Sequence, residues 1–430
     1  MNTGVLLLII FFIFIFANVP IAVSLALSAI IGLKIAGFSL DMYPSIMYTA
    51  VSKFVLLAIP FFILAGVIME YAGISKRLIK FAMTCVGHTK SGLISVVVVT
   101  SCFFAAISGS GPATVAALGG ILIPAMDEAG YDKAVASALM ASAGAIGIII
   151  PPSIAFVVYA SIAEVSVGML FLAGFLPGIL VGISYVVAAV WSERKNTNII
   201  RMPKASWKER WVAFKDAFWG IMTPVIILGG IYGGIFTPTE AAGVAVIYGL
   251  VVGIFIYREV KLREFWNIFV DAGVSSATVM FIIAGASIFG WLLNADNIAT
   301  AASNGLIALA GDNKLLMLLI IDIIFLIAGC FLDGNSAIYV IVPIMIPVAR
   351  VFNIDLIHFG LFLTVNIAIG LITPPVGIDL YVACSIADIS VTDIIKKIIP
   401  FVICGIVALL LLTYFPSISL FLPRLAGYAG

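Results

Sequence analysis

Apolar stretches long enough to cross a bilayer recur along the whole chain, and they restrict the folds that it can adopt. Residues 217–237 and 398–422 are two examples, and each has about the 20 residues that a helix needs to span the hydrocarbon core. Charged residues make up 10% of the sequence, against roughly 25% in soluble domains. Because lipid offers the backbone no hydrogen bonds, such spans are predicted to be helices. The sequence therefore predicts an all-α polytopic membrane protein.

Segments that cannot continue a helix interrupt these stretches. The sequence SGSGP at 108–112 separates two apolar runs, and adjacent prolines interrupt others at 151–152 and 374–375. Glycine lets the backbone turn freely, and proline prevents a continuous helix. Irregular backbone at membrane depth is tolerated only where protein buries it or where it lines a polar cavity. These breaks are thus either loops outside the bilayer or the functional core.

The distribution of basic residues favours the second alternative, in which the breaks form the functional core. If the amino terminus lies outside and each Gly-rich break forms a re-entrant hairpin, 17 of the 22 Lys and Arg residues fall on one side. Cytoplasmic loops carry such an excess, and full spans in place of the hairpins would destroy it. The predicted cytoplasmic segments are 75–90 with Lys133, 192–215, 258–263 and 396–397. Both termini are then predicted to be periplasmic.

The two halves of the chain are similar in sequence. A shift of 223 residues aligns the double prolines and sets Gly111 on Gly334, and one further residue aligns SIAEVSV with SIADISV. With the topology above, the halves are inverted repeats, which hold a binding site at their interface near the bilayer midplane. The predicted repeats are 1–191 and 217–430, joined by an amphipathic cytoplasmic connector at 192–216. The predicted hairpins are about 91–125 and 315–348, and the predicted broken helices are about 134–163 and 357–386.

The breaks collect neutral oxygen atoms. Hydroxyl and amide oxygens, together with carbonyl groups that glycine and proline release, suit Na⁺ and allow it to leave again. Two such sets predict two Na⁺ sites, one in each repeat. The predicted ligands are Ser108, Gly109, Ser110, Gly144, Gly147, Asp333, Gly334, Asn335, Ser336, Asn366, Gly370 and Thr373. Asp333 is the strongest candidate, to hold Na⁺ or bind substrate hydroxyls, since a carboxylate in apolar surroundings costs roughly 2.5–3.5 kcal/mol.

Helix ends at the breaks bear on the substrate. Half-helix amino termini near Ser110, Ser153 and Ser336 carry a partial positive charge and are expected to meet an anionic substrate. The predicted substrate therefore carries a negatively charged group.

Four other carboxylates lie in or beside apolar runs, and each calls for a role. Glu240, in FTPTEAAG, is expected to brace a helix start. Asp322 and Asp379 are expected to be buried with a polar partner, and Glu70 is expected to extend outward from a helix end.

No enzyme is predicted. The sequence has no HExxH zinc motif and no GxxxxGK[ST] phosphate loop. Its two histidines, His88 and His358, fall at opposite predicted membrane edges, and its five cysteines form no CxxC pair. No nucleic-acid partner is expected either. The remaining alternatives are a channel and a proton-coupled single-component carrier, in which Asp322 and Asp379 would relay protons.

Five motifs resemble the large membrane subunit of tripartite ATP-independent periplasmic (TRAP) transporters. They are AIPFFILAGVIM (58–69), SGSGPATVAALGGILIPAM (108–126), GIIIPPS (147–153), GGIFTPTEAAGVAV (233–246) and GLITPPVG (370–377). The resemblance covers nearly the whole chain. It implies an elevator-type, Na⁺-driven transporter of organic acids in the bacterial inner membrane. It also implies a small four-helix membrane subunit (Q-type), expected as a separate polypeptide, and a periplasmic substrate-binding protein (P-type).

The resemblance also assigns residues. It places Ser108, Gly109 and Ser110 in the first Na⁺ and substrate region, with Ser153 beside them, and Asp333 in the second. The family often has Asn at the position of Asp379, so the resemblance assigns that residue no role. Because the predicted site contains no Arg or Lys, a monocarboxylate sugar acid such as N-acetylneuraminate, a sialic acid, is favoured over a C4-dicarboxylate.

Overall fold

A computed structural model describes residues 3–89, 91–200 and 202–430 of the chain. Every regular element in these residues is helical. Among them, eight helices are long and apolar enough to cross a membrane, and several shorter apolar helices accompany them. The prediction of an all-α polytopic membrane protein is confirmed.

The helices follow one another with short connections. The first half contains α1 (Thr3–Phe16), α2 (Ile21–Ala36), α3 (Met42–Val51), α4 (Ala58–Tyr71), α5 (Ile74–Val86), α6 (Gly92–Ser108), α7 (Gly111–Glu128), α8 (Lys133–Ala145), α9 (Ile154–Ala163) and α10 (Val167–Ser192). The second half contains α11 (Trp207–Tyr232), α12 (Pro238–Val251), α13 (Phe265–Ala295), α14 (Ile298–Ala310), α15 (Lys314–Phe331), α16 (Gly334–Val351), α17 (Leu356–Gly370), α18 (Ile378–Ala387), α19 (Val391–Tyr414) and α20 (Pro416–Leu425).

Glycine and proline end the helices at the breaks. Gly109 has φ +63° after α6, and Pro112 lies in the first turn of α7, where its missing N–H costs no hydrogen bond. In the second half, α17 ends at Gly370 and α18 begins after Gly377, which has φ +50°. Both Pro–Pro peptide bonds, Pro151–Pro152 and Pro374–Pro375, are cis. The result is two helix pairs, α6–α7 and α15–α16, and two broken helices, α8–α9 and α17–α18.

Each helix pair packs against both broken helices. Within the halves, α7 lies on α8 and α15 lies on α17. Between the halves, α18 packs on α7 and α9 packs on α16, and the Tyr159 hydroxyl donates to the Leu356 carbonyl at 2.7 Å. The four breaks therefore meet in the middle of one continuous core.

Glu240 has the structural role expected of it. Its carboxylate accepts a hydrogen bond from the Thr237 N–H at 2.8 Å, and the Thr237 hydroxyl accepts from the Glu240 N–H. This reciprocal arrangement is a capping box at the start of α12. The helix-bracing prediction for Glu240 is confirmed.

Candidate functional site

A cavity of about 540 Å³ lies where the breaks meet. Its walls come from the α6–α7 and α15–α16 tips and from α4, α9, α13 and α18. The polar residues that line it are Glu70, Ser108, Ser110, Ser275, Thr278, Asp333 and Asn335. This volume falls within the range of small-molecule sites, which are mostly apolar with a few placed polar groups.

The first tip, residues 108–111, is held together by hydroxyl and carbonyl groups. The Ser108 hydroxyl lies 3.0 Å from the Thr114 hydroxyl, which donates to the Ser110 carbonyl at 2.8 Å. The Gly109 carbonyl accepts from the Ile154 N–H at 3.3 Å. Neutral oxygens therefore converge at this tip, and none of residues 108–111 carries a side-chain charge.

Glycines let the first tip approach its own broken helix closely. A Cβ atom at Gly147 would lie 2.7 Å from the Ser110 carbonyl oxygen, and one at Gly144 would lie 3.2 Å from the Gly111 carbonyl oxygen. The structure thus brings the predicted residues of the first set together.

The second tip, residues 332–336, is built around a carboxylate. Asp333 accepts hydrogen bonds from the Asn335 N–H at 3.1 Å and the Ser336 N–H at 3.3 Å, and from the Ser336 hydroxyl. The tip reaches its broken helix through the Val376 N–H, which donates to the Cys330 carbonyl at 3.2 Å. Asp333 therefore caps α16 and adds a fixed negative charge to the cavity wall.

Two predicted Na⁺ ligands of the second half lie away from the cavity. The Asn366 amide donates to Asp322 at 2.8 Å and to the Phe362 carbonyl at 3.1 Å. The Thr373 hydroxyl donates to the Ile369 carbonyl one turn earlier, at 2.6 Å. These hydrogen bonds occupy both side chains, Asn366 between α17 and α15 and Thr373 on the preceding helical turn. The second set is therefore only partly assembled around its tip, by Asp333, Gly334, Asn335 and Ser336, while Gly370 packs against Gly329 of α15.

The three expected helix amino termini are not equivalent. Ser153 caps α9, since its hydroxyl accepts from the Phe156 N–H at 3.4 Å, and Asp333 caps α16. The start of α7 has no side-chain cap among the described residues. Uncapped N–H groups and the helix dipole attract anions. Of the three, the α7 terminus at Ser110 is the one open to an anionic ligand.

Asp322 and Asp379 differ in their surroundings. Asp322 is buried and accepts hydrogen bonds from Asn366 at 2.8 Å and Thr413 at 3.2 Å, which confirms its prediction. Asp379 is fully buried, but neither of its carboxylate oxygens has a hydrogen-bond partner among the described residues. The prediction of a polar partner for Asp379 is therefore wrong. The cause is its packing against Gly111, where a Cβ atom would lie 2.8 Å from the carboxylate.

Other cavity residues were missed at the sequence level. Ser275 and Thr278 of α13 and Glu70 of α4 line the cavity. Glu70 is exposed at a helix end, as expected, but it faces the cavity. The SSAT sequence at 275–278 is a run of hydroxyl residues in an apolar helix and was the available signal. Thr114 lay inside the SGSGPAT motif itself.

The charge of the cavity has one sign. Asp333 and Glu70 are carboxylates, and no Lys or Arg occurs among the described residues that line the cavity. An anion bound at the α7 terminus would therefore meet net negative charge unless a cation accompanied it.

A family model described as "Tripartite ATP-independent periplasmic transporter, DctM component" matches residues 8–418. The chain is 41% identical over 407 residues to the C4-dicarboxylate TRAP transporter large permease protein DctM of Pseudomonas aeruginosa, with 94% of each chain covered. It is 40% identical to the isethionate TRAP transporter permease protein DctMQ of Oleidesulfovibrio alaskensis, covering 96% of this chain but only 65% of that relative. It is 35% identical to the sialic acid TRAP transporter large permease protein SiaM of Vibrio cholerae, covering 96% of this chain and 97% of the relative.

Among solved structures, the YdaH transporter of Alcanivorax borkumensis has a similar fold. The TM-score is 0.60, and the match covers 90% of this chain and 89% of that one. Sequence identity is 16%, so the likeness concerns the fold alone. It agrees with the helical membrane architecture described above.

Proposed function

The chain belongs to the DctM-component family of tripartite ATP-independent periplasmic transporters, and from this premise we propose that it takes up a carboxylated organic solute together with Na⁺. As a TRAP large permease it is a multi-pass membrane transport protein rather than an enzyme. We place it in the bacterial inner membrane. Na⁺, the solute and the direction of transport are parts of the proposal.

The observation that carries the proposal is the one-signed charge of the cavity. A carboxylated solute needs positive charge, yet the described lining supplies Asp333 and Glu70 and no basic side chain. A cation bound in the same cavity offsets the negative charges of the solute carboxylate and of the cavity wall. The neutral oxygens of the first tip and the carboxylate of the second suit a hard monovalent ion such as Na⁺, so two or more ions per cycle are proposed.

The solute carboxylate is proposed to lie at the uncapped start of α7. There it meets backbone N–H groups and the positive end of the helix dipole. The hydroxyls of Ser110, Ser275 and Thr278 lie in the same cavity and can bind polar groups of the solute. Ser153 lies beside this region but caps α9, so its contribution is to position the break.

The cavity is proposed to face the cytoplasm. It extends along α4 to Glu70, at the end of that helix that adjoins the basic segment 75–90. It also reaches Ser275, in the half of α13 that is nearer the basic segment 258–263. Such segments stay cytoplasmic. An elevator-type movement of the two tips and the broken helices against α4 and α13 would expose the site on the other side.

The proposed partners follow from the family. A periplasmic substrate-binding protein delivers the solute, and a separate small four-helix membrane subunit assembles with this chain. Among candidate solutes, one anionic group with several hydroxyls fits a cavity without Lys or Arg better than two anionic groups do. A sialic acid such as N-acetylneuraminate is therefore proposed, with C4-dicarboxylates as the alternative.

The test is uptake by proteoliposomes that contain this chain and its small subunit, with the cognate binding protein added. Uptake of N-acetylneuraminate should require an inward Na⁺ gradient, and a proton gradient alone should not support it. Unlabelled N-acetylneuraminate should compete with the labelled solute. Equal uptake under a proton gradient without Na⁺ would overturn Na⁺ coupling. Vigorous uptake without the binding protein would indicate a single-component carrier instead.

A further inference from the structure

Asp379 is the one carboxylate whose buried oxygens both lack a partner among the described residues. It lies in the first turn of α18, in the second half of the chain, and its side chain is fully buried. Leaving an ionised carboxylate buried without hydrogen bonds or a counter-charge is costly, and such a group is normally neutralised instead. The position therefore requires either a proton or a metal ion.

The described contact between Asp379 and the first tip brings no tip carbonyl oxygen to the carboxylate. The side of Gly111 that would carry a side chain faces the carboxylate, with a Cβ atom 2.8 Å and 3.3 Å from its two oxygens. The Gly111 carbonyl oxygen lies toward Gly144 instead, and the Ser110 carbonyl oxygen lies toward Gly147. The carbonyls of the first tip thus point at their own broken helix. Na⁺ needs several converging oxygens, whereas a proton needs one.

Few titratable groups face Asp379 from the helices packed around it. The Tyr185 hydroxyl on α10 and the Cys404 thiol on α19 are the uncharged titratable groups in this neighbourhood. The Tyr185 hydroxyl is buried and has no hydrogen-bond partner among the described residues. The charged residues of α7 and α8 lie at their other ends, and Lys397 of α19 pairs with Asp132 there. Within residues 3–89, 91–200 and 202–430, the structure therefore places no cationic side chain against Asp379.

The same carboxylate lies beside the start of α7, where the solute carboxylate is proposed to bind. An ionised Asp379 would place a negative charge against Gly111, offset the positive end of α7 and repel the solute. A neutral Asp379 leaves the positive end of α7 available to the solute carboxylate. In the first half, the position matching Asp379 at the start of α9 is Ala155, so this dependence belongs to one side of the site only.

We propose that Asp379 is a proton-binding site, and that its proton must be bound for the solute anion to occupy the start of α7. A hydronium ion from the solvent transfers the proton to a carboxylate oxygen: one O–H bond of hydronium breaks, one O–H bond of the neutral acid forms, and a water molecule is released. This inference rests on the proposed position of the solute and adds a proton requirement to Na⁺ coupling. Solute affinity is then highest at low pH and falls as the proton is lost.

The first test needs no transport. Infrared spectra of the purified complex with its small subunit, recorded across a pH series, should show the carbonyl band of a protonated carboxylic acid that disappears at high pH. Asp379→Asn should remove that band while the complex keeps its size-exclusion profile. An unchanged spectrum in Asp379→Asn would overturn the proton site. Loss of the band on adding Na⁺ at constant pH would also overturn it and would indicate a metal site.

The second test is the apparent KM for the solute in proteoliposomes at saturating Na⁺. In the unaltered protein, KM should rise by about fivefold or more from low to high pH, the lower end of typical site coupling. Asp379→Asn should keep a low KM at every pH. The matched control, Asp322→Asn, changes a buried carboxylate that already has two donors and should keep the pH dependence. A pH-dependent KM in Asp379→Asn would contradict the proposal, even if Na⁺ coupling held.

Discussion

The two tips occupy matching positions in the two halves, yet they differ in charge and in backbone. The first tip turns through Gly109 at φ +63°, and α7 then starts without a side-chain cap. The second continues through Leu332 in an extended conformation, and Asp333 caps α16. One tip thus offers a free positive helix end, and the other offers a fixed negative charge. Similar sequence repeats can therefore supply complementary halves of one site, for an anion and for a cation.

The largest expected effect concerns the backbone of the first tip. Gly109→Ala puts a side chain at positive φ, which costs roughly 1–2 kcal/mol, and its Cβ would lie 2.7 Å from the Pro152 carbonyl oxygen. Because backbone must move, uptake should fall by more than about tenfold. The second tip has a glycine at Gly334, where the Cβ of Gly334→Ala would meet only the Ile367 side chain at 3.0 Å, so this variant should keep most uptake. Equal losses of uptake in the two variants would show that the backbone of the first tip is no less tolerant of a side chain than that of the second.

A smaller effect on maximal uptake is expected from the charge of the second tip, which acts on the affinity for Na⁺. Asp333→Asn keeps a side-chain oxygen for capping α16 but removes the negative charge. Hydrogen bonds and contacts to charged groups contribute roughly 1.5–3 kcal/mol, so the Na⁺ concentration for half-maximal uptake should rise by about 10- to 150-fold. The measurement is initial uptake rate against Na⁺ concentration. An unchanged Na⁺ curve would remove Asp333 from the cation site.

The smallest effect is expected at Ser108. Ser108→Ala removes one neutral hydroxyl, which lies 3.0 Å from the Thr114 hydroxyl. A neutral hydrogen-bonding group contributes about 1 kcal/mol, so half-maximal Na⁺ should rise by about fivefold, and high Na⁺ should restore uptake. Ser142→Ala is the control, because that buried hydroxyl bonds only within its own helix, to Ala138. If uptake fell in Ser108→Ala and added Na⁺ did not restore it, Ser108 would have a packing role only.

The sequence was sufficient to predict features that depend on local chemistry. Helix spans follow from apolar length, and the breaks follow from glycine and proline, as at Gly109 and Pro112. The bracing role of Glu240 follows from its place three residues after Thr237. In each case the residues that determine the structure are neighbours in the chain.

Features that depend on packing between helices that are distant in the chain were not predictable. Asp379 loses its expected partner because α18 packs on Gly111 of α7, which is 268 positions away in the chain. Asn366 bonds Asp322 because α15 and α17 cross at that level. Ser275 and Thr278 line the cavity because α13 packs against α4 and α16. Helical periodicity shows that a helix has an apolar face but does not identify the helix that covers it.

The central claim is that the start of α7, at the first tip, binds the solute anion, whereas the carboxylate of the second tip binds a cation. The most direct test measures two constants, half-maximal Na⁺ and the solute KM at saturating Na⁺, in Ser110→Asp and Asp333→Asn. Ser110→Asp gives α7 the kind of carboxylate cap that α16 already has. It should raise KM by about tenfold or more, and half-maximal Na⁺ should change by a smaller factor than KM does. Asp333→Asn should do the reverse. If both variants shift the same constant to a similar extent, the two tips do not divide these roles and the account is contradicted.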